Sequence, residues 1–246
     1  LRVVELLLVT TVPSMIVSLY SMPPLNLVAY TLIGGTLLAV SANVMNQVFE
    51  IDRDKLMTRT SDRPLVTGDL KKSSAIIYSI VMGVIGFMVL YFLTTPTAAL
   101  IGLIANQFYI FVYTLILKPR TNQNIVIGGA AGAAPVLIGW TATGSTLDVG
   151  AWLLFLLVFM WTPAHFWALS IENESDYKNA DFPMLPTQET HERSSIYIAI
   201  YSCATVLISI AAAPVLQLGI VYLLISISLG TNLMYKSFSL YKKNIQ

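Results

Sequence analysis

Asn46, Glu50 and Asp54 recur at every fourth position of one stretch of this chain. On an α-helix that spacing stacks three oxygen-bearing side chains on one face, one turn apart. Asn43 and Gln47 continue the face upstream. A second acidic stretch carries Glu172, Glu174, Asp176 and Tyr177, with Glu172 and Asp176 again one helical turn apart. Stacked carboxylates repel each other unless a cation joins them. Mg²⁺ prefers oxygen ligands and usually takes substrate phosphates as well. Arg59, Arg63, Lys118 and Arg120 supply complementary charge, and the arginine fork binds phosphate bidentately. The combination predicts a diphosphate site with Asn46, Glu50, Asp54, Glu172 and Asp176 as metal ligands. Arg59, Arg63, Lys118 and Arg120 are the expected phosphate clamp. The alternative for either stretch is a solvated loop of mixed charge.

The elements that must carry these residues follow from composition. Of the 246 residues, 56% are hydrophobic and 11% charged, against roughly 25% charged in ordinary soluble domains. Mean hydropathy is +0.72. Such a chain uses lipid as its solvent, which excludes a disordered protein, a soluble fold and a nucleic-acid binder of the basic-patch kind. A helix needs about 20 apolar residues to cross a bilayer. Eight segments qualify: 3–20, 25–47, 74–93, 97–117, 125–143, 149–171, 195–213 and 215–235. Strand alternation is absent, so a membrane β-barrel is out. The single cysteine, Cys203, excludes an internal disulfide and a cysteine metal cluster.

With eight spans, all 14 Lys and Arg residues fall on one side of the membrane. The positive-inside rule makes that side cytoplasmic, or the matrix in an organelle. Of the 13 acids, 11 lie between residues 50–69 and 172–192 on the same side. The loops 46–72 and 172–193 are therefore expected to form a charged cytoplasmic cap over a single domain, residues 1–246. Each motif follows the second span of a four-span block, which suggests two four-helix halves. Nothing in the sequence specifies an oligomeric state.

At these residues the sequence resembles the heme O synthase family (protoheme IX farnesyltransferases), a branch of the UbiA-type intramembrane prenyltransferases. The resemblance rests first on Asn46, Gln47, Glu50, Asp54, Met57, Arg59, Thr60, Arg63, Pro64 and Leu65. Further stretches are 5–13, 113–118 with 121–133, and Trp161, Thr162, Pro163, Ala164, His165, Phe166, Trp167, Ala168 and Leu169, followed by Asp176, Tyr177 and Pro183 to Pro186. There are departures. The family usually has nine spans, so a further helix, like a leader or short arm before Leu1, is expected outside the sequence. Ala164 stands where a second proline is common, Asp181 where glycine is common, and Pro119 interrupts a run that is often more basic.

The resemblance implies transfer of the farnesyl group of farnesyl diphosphate to a vinyl group of heme B, assisted by Mg²⁺, in an integral, multi-pass protein of a prokaryotic plasma membrane. The expected substrate contacts further include Asn43, Asn124 and Tyr177. His165 lies seven residues inside Glu172, roughly 10 Å of helix rise. It is either a haem iron ligand or a hydrogen-bonded packing histidine. The small residues 128–134 leave room for close helix packing or for a flat ligand. Trp140 and Trp152 are expected as anchors at the outer membrane interface. Two rivals remain at this stage: a related enzyme prenylating a quinone precursor or other acceptor, and a secondary transporter.

Overall fold

The computed structural model describes the backbone of residues 2–245 and the side chains of residues 9–244. All eight expected spans are helical. They are α1 (Arg2–Leu19), α2 (Leu25–Asp54), α4 (Lys72–Leu93), α5 (Pro96–Gln107) with its continuation Phe108–Leu117, α6 (Asn124–Ala142), α7 (Val149–Glu172), α10 (His191–Val215) and α11 (Gly219–Ile245). Among the described residues, seven of these helices are long and apolar enough to cross a membrane, and α1 contributes the shorter apolar run Val9–Leu19. Glu5 lies outside the residues whose side chains are described. The short helices α3 (Pro64–Thr67), α8 (Glu174–Asn179) and α9 (Leu185–Gln188) lie in the two motif loops. No strand occurs among the described residues. In lipid every backbone polar group must be satisfied within the segment, which leaves helices as the form for these runs.

At the end of the bundle away from the two motifs the turns are built by capping. Thr95 accepts the N–H of Ala98 at 3.1 Å, and Pro96 opens α5 where a missing N–H costs nothing. Asp148 accepts the N–H of Ala151 at 3.0 Å to start α7. Toward the motif end, α2 runs for 30 residues, about 45 Å against a hydrocarbon core of about 30 Å. Its last turns therefore pass the apolar layer and carry Glu50 and Asp54 to the membrane boundary.

Helix α6 is the central column: 67% of its apolar window is buried, and it packs on α1, α5 and α7. Helix α2 lies closest to α4, where small residues let the backbones meet. A Cβ on Gly86 would stand 2.9 Å from the Gly34 carbonyl oxygen, and one on Gly83 would stand 2.9 Å from Ser41 Oγ. Ser79 Oγ crosses the same seam to the Ser41 carbonyl at 2.8 Å. The corresponding pair in the second half, α7 and α10, also packs extensively. Trp140 departs from the expected interfacial anchor. It is 3% exposed, packs among Leu137, Ala151, Ala212 and Leu216, and donates Nε1–H to the Thr146 carbonyl at 3.0 Å. Its helix is the central one, so its ring turns inward; Trp152, on α7, is the exposed one.

Candidate active site

The first motif forms the expected face. Asn46, Glu50 and Asp54 are all buried on the last turns of α2. The two carboxylates are each paired with a cation from elsewhere in the chain. Lys118 Nζ straddles Glu50, 2.6 Å from Oε1 and 2.7 Å from Oε2, and only the second contact has hydrogen-bond geometry. Arg63 donates to Asp54 Oδ2 at 2.5 Å. Arg63 is placed by the turn after α2. Thr60 donates its hydroxyl to the Asp54 carbonyl at 2.9 Å, and Pro64 starts α3 directly after Arg63. Asn43 and Gln47 are joined by a 3.4 Å hydrogen bond on the same side of the helix.

The second motif is built differently from the expected ladder. Helix α7 ends at Glu172, Asn173 leaves helical geometry (φ −113°, ψ 27°), and α8 starts at Glu174. Glu172 and Asp176 therefore do not share one continuous helix face, and Glu172 is exposed. Asp176 instead accepts the backbone N–H of Thr58 and of Arg59, each at 3.2 Å. Burial pushes its carboxyl up, but these backbone donors together with the Thr58 hydroxyl and the Arg59 charge hold it below its ordinary value. Beneath this bond, Met57 packs with Ala180 and Phe182, and Tyr177 closes the cluster. The two motifs meet as loop on loop. Asp181 has φ +53°, the left-handed region that glycine favours and aspartate tolerates, which explains why glycine suits that position in the resembled family. Outside this contact, Glu174 takes Lys178 at 2.6 Å and His191 at 2.8 Å, and these donors hold its carboxyl below its ordinary value.

Other expected residues are placed as follows. The Arg59 side chain is exposed beside Asp176. Arg120 does not join the clamp: it turns back to donate to the Leu115 carbonyl at 3.0 Å. Asn124 is fully buried and ties the start of α6 to the second loop, donating to the Thr121 carbonyl at 2.6 Å and the Pro183 carbonyl at 3.2 Å. It is a staple, closed to substrate in this arrangement. His165 is exposed and lies flat on Trp161, ring centroids 4.4 Å apart at 16°. Within the small-residue run, Gly128 is closed by the Tyr113 ring, where a Cβ would stand 2.3 Å from Cδ2. Gly132 faces open space, with nothing within 4 Å.

Sequence reasoning passed over two residues. Phe182 lies under both the Arg53 guanidinium (4.6 Å) and the Lys118 ammonium (4.5 Å), holding two cations over one ring. Thr114 accepts Asn46 Nδ2–H at 3.1 Å. It sits in Phe108–Leu117, a π-helical continuation of α5, and such segments are often found at functional sites. Pro183 directly after Phe182, and the lone threonine in an aromatic run, were the only signals for them.

The chain's relatives match this architecture. The UbiA prenyltransferase family profile covers residues 7–245. The chain belongs to this family. It is 48% identical over 230 residues to a protein named protoheme IX farnesyltransferase from Parafrankia sp. (strain EAN1pec), covering 94% of this chain and 74% of that one. It is 43% identical over 242 residues to a protein of the same name from Paenarthrobacter aurescens (strain TC1), covering 98% and 76%. A UbiA homolog from Archaeoglobus fulgidus, solved bound to DMAPP and Mg²⁺, shares the fold at TM-score 0.76 with 18% identity, over 96% of this chain and 84% of that one.

As a UbiA prenyltransferase, the protein is an integral, multi-pass membrane enzyme. Its donor set suits a hard cation such as Mg²⁺: an amide oxygen and two carboxylates on one helix face, all oxygen. Glu50 Oε1 is buried without a hydrogen bond. No group of three acidic, histidine or cysteine side chains stands ready to hold a metal among the described residues. The two expected ladders do not converge on one centre here: Asp176 accepts backbone N–H groups, Glu172 is exposed, and Glu50 and Asp54 are paired with Lys118 and Arg63.

Proposed function

We propose that this UbiA-family enzyme transfers the farnesyl group of farnesyl diphosphate to a vinyl group of heme B, giving heme O. The observation that carries the acceptor is the 43% and 48% identity, over nearly the whole chain, to two proteins bearing the farnesyltransferase name. Lys and Arg gathered at the motif end support a site on the cytoplasmic side of a prokaryotic plasma membrane.

Asn46, Glu50 and Asp54 would hold Mg²⁺, and Arg63, Lys118 and the exposed Arg59 would take the diphosphate. When bound, the ion supplies Lewis-acid charge to the departing diphosphate. The cations now on Glu50 and Asp54 are the groups an incoming diphosphate attracts most strongly. Their transfer to substrate frees both carboxylates. The farnesyl C1–O bond breaks and pyrophosphate leaves. C1 bonds to the terminal vinyl carbon, and water adds at the neighbouring carbon with loss of a proton. The apolar bundle keeps water from the allylic cation until the vinyl carbon has captured it. The open space at Gly132 suits the apolar tail. His165, exposed and backed by Trp161, presents an imidazole to the haem iron. Asp176 keeps the second loop closed over the first.

Purified protein incubated with heme B, farnesyl diphosphate and Mg²⁺, read by mass spectrometry, should give an EDTA-sensitive product carrying farnesyl plus water. Asp54→Ala should abolish it. Pyrophosphate release without a heme product would move the acceptor to another class, such as a quinone precursor. Folded protein with no reaction on any donor would overturn the reading.

A further inference from the structure

Of the three residues on the α2 face, Asn46 is the one oriented by a neutral group from another span. Its Nδ2 donates to Thr114 Oγ1 at 3.1 Å, and Thr114 Oγ1 donates to the Tyr109 carbonyl at 2.9 Å. Both side chains are buried, Asn46 to 5% exposure and Thr114 to 4%. A threonine hydroxyl has one proton and two acceptor lone pairs. With the proton committed to Tyr109, the oxygen can only accept from Asn46. The amide is thereby turned with its NH₂ group on Thr114 and its carbonyl oxygen on the opposite side. That oxygen accepts no hydrogen bond among the described residues.

The register of the π-helical segment makes this possible. In Thr31, Thr141, Thr162 and Thr205 the hydroxyl reaches the carbonyl four residues back. In Thr114 it reaches five residues back. An added residue per turn rotates everything downstream about the helix axis, and here it brings Thr114 to α2. We propose that Thr114, through the π-helical register of 108–117, is a positioning residue that aims the Asn46 carbonyl oxygen at the divalent cation. This rests on the reading that Asn46, Glu50 and Asp54 hold the metal.

The test uses Mn²⁺ alone, followed by its electron paramagnetic resonance in purified protein, beside the Mg²⁺ dependence of turnover. Groups that orient a metal ligand typically contribute 10–100-fold in affinity. Thr114→Val should weaken Mn²⁺ by about that factor and raise the Mg²⁺ needed for half-maximal rate, while kcat at saturating Mg²⁺ recovers. Thr114→Ser should restore both. Adding Asn46→Asp to Thr114→Val should also restore Mn²⁺ affinity, because a carboxylate offers an oxygen whichever way it is turned. Wild-type Mn²⁺ affinity in folded Thr114→Val, with affinity lost in Asp54→Ala, would overturn the proposal and leave the metal site standing. Unchanged affinity in Asp54→Ala as well would instead overturn the metal-site reading. If Thr114→Val fails to fold, Thr114→Ala judged against Thr114→Ser decides: equal Mn²⁺ affinities overturn the proposal.

Discussion

Lys118 holds Glu50 across the bundle: its ammonium sits 2.6 Å and 2.7 Å from the two carboxylate oxygens, with side chains 14% and 6% exposed. Removing one partner of a buried pair leaves the other charge unpaired, at about 3–5 kcal/mol. Lys118→Met should therefore lower thermal stability in detergent by several degrees or more. Adding Glu50→Gln should recover most of the loss, since a neutral amide tolerates the apolar surroundings better. If Lys118→Met melts at the wild-type temperature, the pair is not formed in the resting enzyme.

Two glycines should respond in opposite ways. A methyl at Gly86 meets the backbone of α2, the Gly34 carbonyl oxygen at 2.9 Å and the Leu38 nitrogen at 2.9 Å. Backbone gives little, so Gly86→Ala should cost about 1–3 kcal/mol and loosen α2 from α4. Gly132→Ala has open space and should melt at or above wild type. Gly132→Phe should fill that space and raise KM for the prenyl donor with little change in Tm. Equal melting of the two alanine variants would contradict the packing described for Gly86.

The Asp176 bond to the first loop has a defined acid limit. Burial pushes its carboxyl up, but the backbone N–H groups of Arg59 and Thr58, the Thr58 hydroxyl and the Arg59 charge together hold it below its ordinary value. A group depressed in this way contributes its full stability above its ordinary pKa and loses it as pH falls through the depressed one. The loop contact is thus complete at neutral pH and opens only in acid. Amide NMR shifts of Thr58 and Arg59 should titrate together, with a midpoint below the usual aspartate range, and Asp176→Asn should remove that titration. A midpoint at or above the usual range would count against the bond.

His165 should be separable from the diphosphate chemistry. Heme B titrated into His165→Ala should give a weaker complex with a shifted Soret band, while pyrophosphate binding stays at wild type. An unchanged Soret band and affinity would reject iron ligation and leave the Trp161 stack as a packing contact.

The spans were legible because lipid demands long apolar runs, and all eight are helical. The face of Asn46, Glu50 and Asp54 was legible for the same reason: it lies within an uninterrupted helix whose period is known. Glu172 and Asp176 misled because the same spacing crosses a helix end. Whether a helix continues past Asn173 depends on where Asp176 finds donors, and those donors are backbone groups more than a hundred residues away in sequence. Thr114 was hidden because the π-helical register shifts the phase that a 3.6-residue period assumes. Arg120 and Asn124 are of suitable type and near the right loop, but local carbonyls claim them first.

The resting pairs Glu50–Lys118 and Asp54–Arg63 have an electrical consequence. A membrane potential works on net charge, at about 2.3 kcal/mol per charge per 100 mV. Each pair sums to zero within a few ångströms, so a shift of either pair as a unit along the membrane normal does almost no work against the potential. Movement of either pair as a unit therefore adds almost nothing to any coupling between this end of α2 and the membrane potential.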